Sequence, residues 1–443
     1  MFVRGNADAA HPPPVDGPAA AAGDAVDTRA AFMKAAWRLV PFVTAGYLLN
    51  YMDRNNVGFA ALTMNRATGL TATQFGFGAG VLFFGYSFFE IPSNIALYRF
   101  GARRWIARIM ITWGIVSAAT AFVRGPQSWY ALRFLLGVTE AGFFPGITFY
   151  LATWFPAEYR ARMLAWFLVA IPASTVIGGP ISGLVLQMNG ALGLEGWQWL
   201  FIIEGLPSTL MGIAALRVLP DRPEDAEFLS PDERRAVRAH IDSERRERAT
   251  HRLSAALKDP RVLLLTAAQF GFTAGSYGVG IWLPQIMKDA RLSNVAIGML
   301  TGGCYVVASI TMIVWAAWVD RTGRKINNLT LACLVAAAGL VLAILTSSFW
   351  LSLIWITVAL AGITSARAIF WTIPTRFLTG LAAAGGLAFI NSVATLGGFV
   401  GPYAMGWLRD ATGSFSAGLM AMAGLLMLAT VTSWSLKLFV TQE

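Results

Sequence analysis

The stretch RLVPFVTAGYLLNYMDRNNVGFAAL, residues 38–62, sets an acid beside a base inside an apolar run. Roughly 20 apolar residues, at about 1.5 Å each, cover the ~30 Å hydrocarbon core of a bilayer, so the run is long enough to cross one. A charge placed there is costly unless it faces a cavity or a partner. Asp53 and Arg54 have apolar residues on both sides. That points to a polar site inside a bundle of membrane helices rather than a pair snorkelling at the membrane edge.

The rest of the chain supports a membrane setting. Of its 443 residues 56% are hydrophobic and 13% charged, against about 25% charged in an ordinary soluble protein. The mean hydropathy is +0.57. The formal charge of +10 does not signal nucleic acid, because the arginines fall between apolar runs and form no basic stripe with interleaved aromatics. Cys304 and Cys333 lie in separate apolar runs, which argues against a disulfide scaffold or a thiolate metal site. His11, His240 and His251 all lie in polar segments, so no intramembrane histidine relay or haem ligation is expected. No GxxxxGK[ST] stretch is present to cradle ATP, and no nucleophile–base constellation suggests an enzyme. No cofactor is expected.

Apolar runs recur twelve times, at about 38–62, 74–98, 104–123, 129–155, 161–188, 197–219, 260–287, 293–319, 326–346, 349–377, 384–408 and 414–438. The expected fold is all-α, with twelve transmembrane helices in two six-helix bundles at 35–219 and 259–443. Residues 1–34, whose first thirty are rich in Ala, Pro and Gly and lack a signal-peptide core, read as a disordered tail. With the N-terminus inside, the short cytoplasmic loops and flanks hold thirteen Lys/Arg, among them Arg99, Arg103, Arg104, Arg321, Arg324, Lys325 and Arg376. The opposite side holds five: Arg66, Arg124, Lys288, Arg291 and Arg409. Both termini are therefore expected in the cytoplasm.

The segment 220–258 is the one long charged stretch. Ser230-Pro231-Asp232-Glu233 has the form of a capping box, and Val237 and Ile241 supply a thin apolar face for a surface helix. The parts on either side of this linker echo each other. Arg99-Phe100-Gly101-Ala102-Arg103 is matched by Arg321-Thr322-Gly323-Arg324-Lys325, and Gly178-Gly179-Pro180 by Gly397-Gly398 and Gly401-Pro402. Six helices plus six with a matching repeat is the arrangement of a secondary transporter whose halves rock about a central site.

In the fourth run Arg133 and Glu140 are seven residues apart and share a helix face. At about 1.5 Å per residue, Asp53 lies roughly 13 Å below the outer surface, between Arg133 at about 6 Å and Glu140 at about 16 Å. Two acids and two bases thus share one layer; the alternative is a static ion-pair network, which buried pairs support poorly. Glu204 in the sixth run stays open between a packing hydrogen bond and a transport role. Arg367 in the tenth is open between anion binding and a helix-end contact. Tyr86, Trp371 and Asn391 are further cavity candidates.

These residues resemble a known pattern. NYMDRNNVGFAAL, FFEIPSNIALYRFGARRWIARIMITWG, RFLLGVTEAGFFPGITFYLATWFP, GWQWLFIIEGLP, FWTIPTRFL and AFINSVATLGGFVGPYAMG are similar to stretches of the major facilitator superfamily. Within it they resemble the anion:cation symporter family, closest to its tartrate- and phthalate-type carboxylate permeases and also similar to sugar-acid permeases. The resemblance spans about 35–440 and implies proton-driven import of a small organic anion across the bacterial inner membrane by a monomer. An efflux antiporter is the alternative. It implies Asp53 and Glu140 as proton-coupling acids, Arg54 and Arg133 as their partners and grips for a substrate carboxylate, and Tyr86, Trp371 and Asn391 as cavity lining. The superfamily loop motif has Asp before Arg-x-Gly. Its first copy here carries Tyr98 instead, while the second keeps Asp320-Arg321, so Asp320, Arg321 and Arg324 are expected to form an asymmetric latch. Arg367 matches no family position and is expected to tune substrate choice.

Overall fold

Helix α1, Thr28–Thr68, carries the opening stretch in its middle and is 41 residues long. In the computed structural model, residues 27–245, 259–374 and 380–439 are described. Most of the expected tail, the end of the linker from 246 and Arg376 lie outside them. Asp27 caps α1 by accepting from the Ala30 amide, and Gly69 ends it at φ 68°, where a side chain would be strained. The helix therefore begins seven residues before the expected start of the first bundle at 35, and its first turns project beyond the membrane run.

The remaining spans follow in order. They are α2 Ala72–Phe100, α3 Ala102–Ala119, α4 Pro126–Glu140 with α5 Phe143–Trp154, α6 Ala157–Leu168 with α7 Ala170–Val185, and α8 Gly196–Val218. After the linker helix α9, Pro231–Arg245, come α10 Pro260–Lys288, α11 Asn294–Thr322, α12 Lys325–Leu345 and α13 Phe349–Phe370. The chain closes with α14 Gly380–Thr395, α15 Gly397–Thr412 and α16 Ser416–Ser435. Ten helical spans among the described residues are long and apolar enough to cross a membrane. Helix α1, diluted by its polar middle, and the broken pair α14–α15 complete twelve. Three of the twelve are thus interrupted, and membrane proteins tolerate such breaks where the freed backbone lines a cavity or is buried in protein.

Within the first half α3 packs on α8 and α2 on α4; within the second α12 packs on α13 and α16, and α10 on α15 and α16. The halves meet through α2 with α15, α7 with α11 and α1 with α10. These seams are built from glycines. A Cβ on Gly76 would run into the Pro402 carbonyl, one on Gly58 into that of Ile281, and one on Gly179 into that of Gly298. Phe75 meets Trp282 edge-on across the same seam, with ring centres 5.2 Å apart. All these contacts lie toward the face carrying the turns at 69–71 and 413–415, so the halves are closed there.

The linker helix marks the opposite face. The Ser230 hydroxyl accepts from the Glu233 amide at 3.1 Å while Glu233 accepts from the Ser230 amide at 2.7 Å, completing the capping box. Val237 and Ile241 are buried. Lys34 pairs with Glu233 at 3.1 Å, and His240 meets Phe32 edge-on. The helix is thus docked on the projecting start of α1.

Candidate functional site

Successive residues of a helix point about 100° apart. Asp53 and Arg54, neighbours in sequence, therefore face different surroundings. Tyr47, Tyr51 and Arg54 follow the i, i+4, i+7 rule and share the face of α1 that lines a central cavity between the halves. The cavity has a polar lobe, bordered also by Tyr86, Asn391 and Trp371. A second lobe of about 360 Å³ is more apolar and reaches Pro172, Ile281 and Met312; small-ligand pockets span roughly 300–1,000 Å³. Arg54, Tyr86, Arg367, Trp371 and Asn391 are thereby brought to one cavity.

Arg54 is held by Glu140. Its Nε donates to Glu140 Oε2 at 2.8 Å, with the Arg54 side chain 11% exposed and Glu140 fully covered. The guanidinium also lies over the Tyr86 ring, 5.0 Å from its centre. Glu140 is the last residue of α4, because the helix breaks immediately after it. Gly142 takes φ 87°, and a Cβ there would meet the side chain of Ser93 on α2, so only glycine fits. Pro145, in the first turn of α5, needs no intrahelical donor. The break sets the pairing acid at a helix end beside the cavity, although the sequence reads as one continuous run.

Asp53 turns away from the cavity into the first half. Its carboxylate accepts from Trp113 Nε1 at 3.0 Å and Ser117 Oγ at 2.8 Å, and Asn56 Nδ2 lies at 3.5 Å. It is 1% exposed, and among the described residues no arginine lies within ion-pair distance of it. Glu204 accepts from Ser182 Oγ at 2.8 Å, while its other oxygen is buried without a partner, as is Asn56 Oδ1. Since Ser182 belongs to α7, which forms the closed seam with α11, Glu204 ties that seam to the polar core of the first half.

Arg133 differs from the expectation of a carboxylate partner. It is buried, its Nε and one terminal nitrogen lack hydrogen bonds, and its guanidinium sits 5.4 Å from the Trp129 ring centre. Seven residues correspond to about 10.5 Å of helix rise. An arginine does not span that distance once Glu140 is drawn toward Arg54.

In the second half, Arg367 on α13 donates from a terminal nitrogen to Ser276 Oγ on α10 at 2.9 Å. Trp371 and Asn391 are half-buried in the cavity wall. Asp320, Arg321 and Arg324 are exposed at the linker-side end of α11, and none makes an ion pair among the described residues. The contact resembling a latch lies at the other face. Asp410 on α15 accepts from the Ala72 and Thr73 amides at 3.2 and 2.7 Å, capping the first turn of α2 across the halves. Sequence reasoning missed Asp410 because a carboxylate in the last turn of a helix carries no periodic signal, and its partners lie on α2 of the other half. It also missed Tyr47 and Tyr51, although their spacing from Arg54 marked the cavity face.

Residues 43–402 match the pattern of the family described as Major Facilitator Superfamily. A protein described as "Putative tartrate transporter" from Agrobacterium vitis is 48% identical over 400 residues, covering 90% of this chain and 89% of that one. A "Quinolone resistance transporter" from Acinetobacter baumannii is 38% identical over 406 residues, covering 90% and 93%. Among solved structures, the inward-open xylose transporter of E. coli superposes with a TM-score of 0.73 at 15% identity, covering 90% of this chain and 96% of that one.

Proposed function

The chain belongs to the Major Facilitator Superfamily and is a secondary transporter, and from that premise we propose that it imports a small organic anion together with protons across the bacterial inner membrane. The observation that carries this reading is the Arg54–Glu140 pair at the cavity wall, 2.8 Å long and almost closed to water. An arginine fork matches a carboxylate in bidentate fashion, and here one is occupied by an internal carboxylate. Protonating Glu140 removes the competitor and frees Arg54 for the cargo. Loading both then replaces one ion pair at Arg54 by another, so no new charge is stranded there when the halves rock. Asp53, away from the cavity on Trp113 and Ser117, acts as the second coupling acid by changing its hydrogen bonds within the first half as it takes up or releases a proton. Both termini and the linker helix lie in the cytoplasm, so this conformation is closed outward, and the protein works as a monomer. Asp320, Arg321 and Arg324 close the inner face in the alternate state. Carboxylates such as tartrate, phthalate or sugar acids are the candidate cargo, in line with the name of the Agrobacterium vitis relative.

The name of the Acinetobacter baumannii relative favours a second reading, proton-driven efflux. Direction separates the two. In proteoliposomes, an inward proton gradient drives accumulation of radiolabelled tartrate or phthalate if the chain is a symporter. Asp53→Asn abolishes that accumulation and leaves exchange. Gradient-driven extrusion without uptake, or undiminished accumulation by Asp53→Asn, contradicts the proposal.

A further inference from the structure

Arg367 is the cavity's uncompensated charge. Its guanidinium is half-buried between the two lobes and donates to the Ser276 hydroxyl at 2.9 Å, and no carboxylate lies within ion-pair distance among the described residues. Arg54, contributed by the other half, borders the same polar lobe but already has Glu140. Tyr51 and Tyr277 stand between them, each within electrostatic reach of both guanidiniums. A cation at membrane depth without a counter-charge is costly, and such residues face a cavity and await a partner. The neighbours of Arg367 supply hydroxyls and aromatic rings but no anion.

We propose that the cargo is a dicarboxylate gripped at both ends, one carboxylate on Arg54 in the first half and the other on Arg367 in the second. The inference rests on the organic-anion reading and narrows it. A monocarboxylate satisfies Arg54 once the proton has reached Glu140, yet it leaves Arg367 unneutralised. Only the second carboxylate compensates both, and it does so by bridging the two halves that must move together. The apolar lobe opens beside Arg367, so the spacer between the carboxylates is free to carry a ring as well as hydroxyls.

The test compares diacids with their half-esters on the purified full chain, by titration calorimetry at pH 6. The probes are tartrate against monomethyl tartrate and phthalate against monomethyl phthalate. One charge-assisted bidentate contact corresponds to about 10- to 100-fold in affinity. The wild type is expected to prefer at least one diacid over its half-ester by that factor, Arg367→Gln to bring the ratio within about 3-fold of one, and Arg367→Lys to retain part of the preference. Equal binding of diacid and half-ester by the wild type overturns the proposal, as does an Arg367→Gln protein that keeps the wild-type ratio. Those outcomes leave the organic-anion reading standing. Should the wild type bind none of the four probes, nor lactate or benzoate, that reading falls as well. If Arg367→Gln elutes aggregated on gel filtration, the wild-type ratio and Arg367→Lys decide.

Discussion

Glu140→Gln separates the grip on the substrate from the coupling to protons. In the resting site Glu140 holds Arg54 at 2.8 Å with essentially no solvent on the carboxylate. A hydrogen bond to a charged partner contributes about 1.5–3 kcal/mol, and a neutral amide oxygen accepting from the same Nε keeps about 1 kcal/mol. The substitution therefore lowers the cost of releasing Arg54 by roughly 0.5–2 kcal/mol, which is about 2- to 30-fold in carboxylate affinity at neutral pH. The wild type gains affinity as the pH falls, because protonation removes the same competitor. The variant is expected to bind a carboxylate more tightly than the wild type at neutral pH and to show a shallower dependence on pH. Intrinsic tryptophan fluorescence suits the titration, since Trp371 borders the cavity. A variant that keeps both the neutral-pH affinity and the pH slope of the wild type refutes competition at Arg54. Asp53, its carboxylate turned toward Trp113 and Ser117 on α3, makes no ion pair with Arg54 through which to compete for it.

Other outcomes follow from the same geometry. Asp410→Asn weakens the cap on α2 by about 1 kcal/mol and raises labelling of cysteines placed on the 69–71 face; unchanged labelling contradicts a latch there. Gly142→Ala puts a side chain at φ 87° against Ser93 and costs about 1–3 kcal/mol of thermal stability together with transport, whereas Gly303→Ala, with open space around it, costs neither. Arg54→Lys keeps the charge but loses the planar fork, so the KM for a carboxylate rises at least 10-fold in uptake assays. The Ser230 amide and then Lys34 hold Glu233 below the usual carboxylate range. Its contribution to docking α9 is complete above that range and lost as pH falls through its lowered value, and Ser230→Ala removes about 1 kcal/mol of the cap, both read by hydrogen exchange in 231–242.

The fold was legible because membrane crossing demands long apolar runs, and because the repeat places matched glycines on both sides of a charged linker. Gly179 and Gly401 do sit at close backbone approaches, as their Gly-Gly-Pro and Gly-Pro settings suggest. The polar residues were legible as a set, since Asp53, Arg54, Glu140 and Arg367 stand out against apolar sequence. Their pairing was not. Depth along a helix placed Asp53 in the layer of Arg133 and Glu140, but rotation about the helix decides contact, and one residue's step turned Asp53 toward Trp113. The break after Glu140 was readable in Gly142 and Pro145 only with hindsight of how Ser93 on α2 crowds that turn. Asp410 depends on a contact between halves 337 residues apart, which no local pattern encodes.

The most direct measurement is a structure of the full chain with a carboxylate bound in the cavity at pH 6. The account predicts that Arg54 Nε leaves Glu140, opening the 2.8 Å contact beyond 4 Å, and that its fork holds the ligand's carboxylate. An occupied cavity with the Arg54–Glu140 pair intact and the carboxylate on other residues contradicts it.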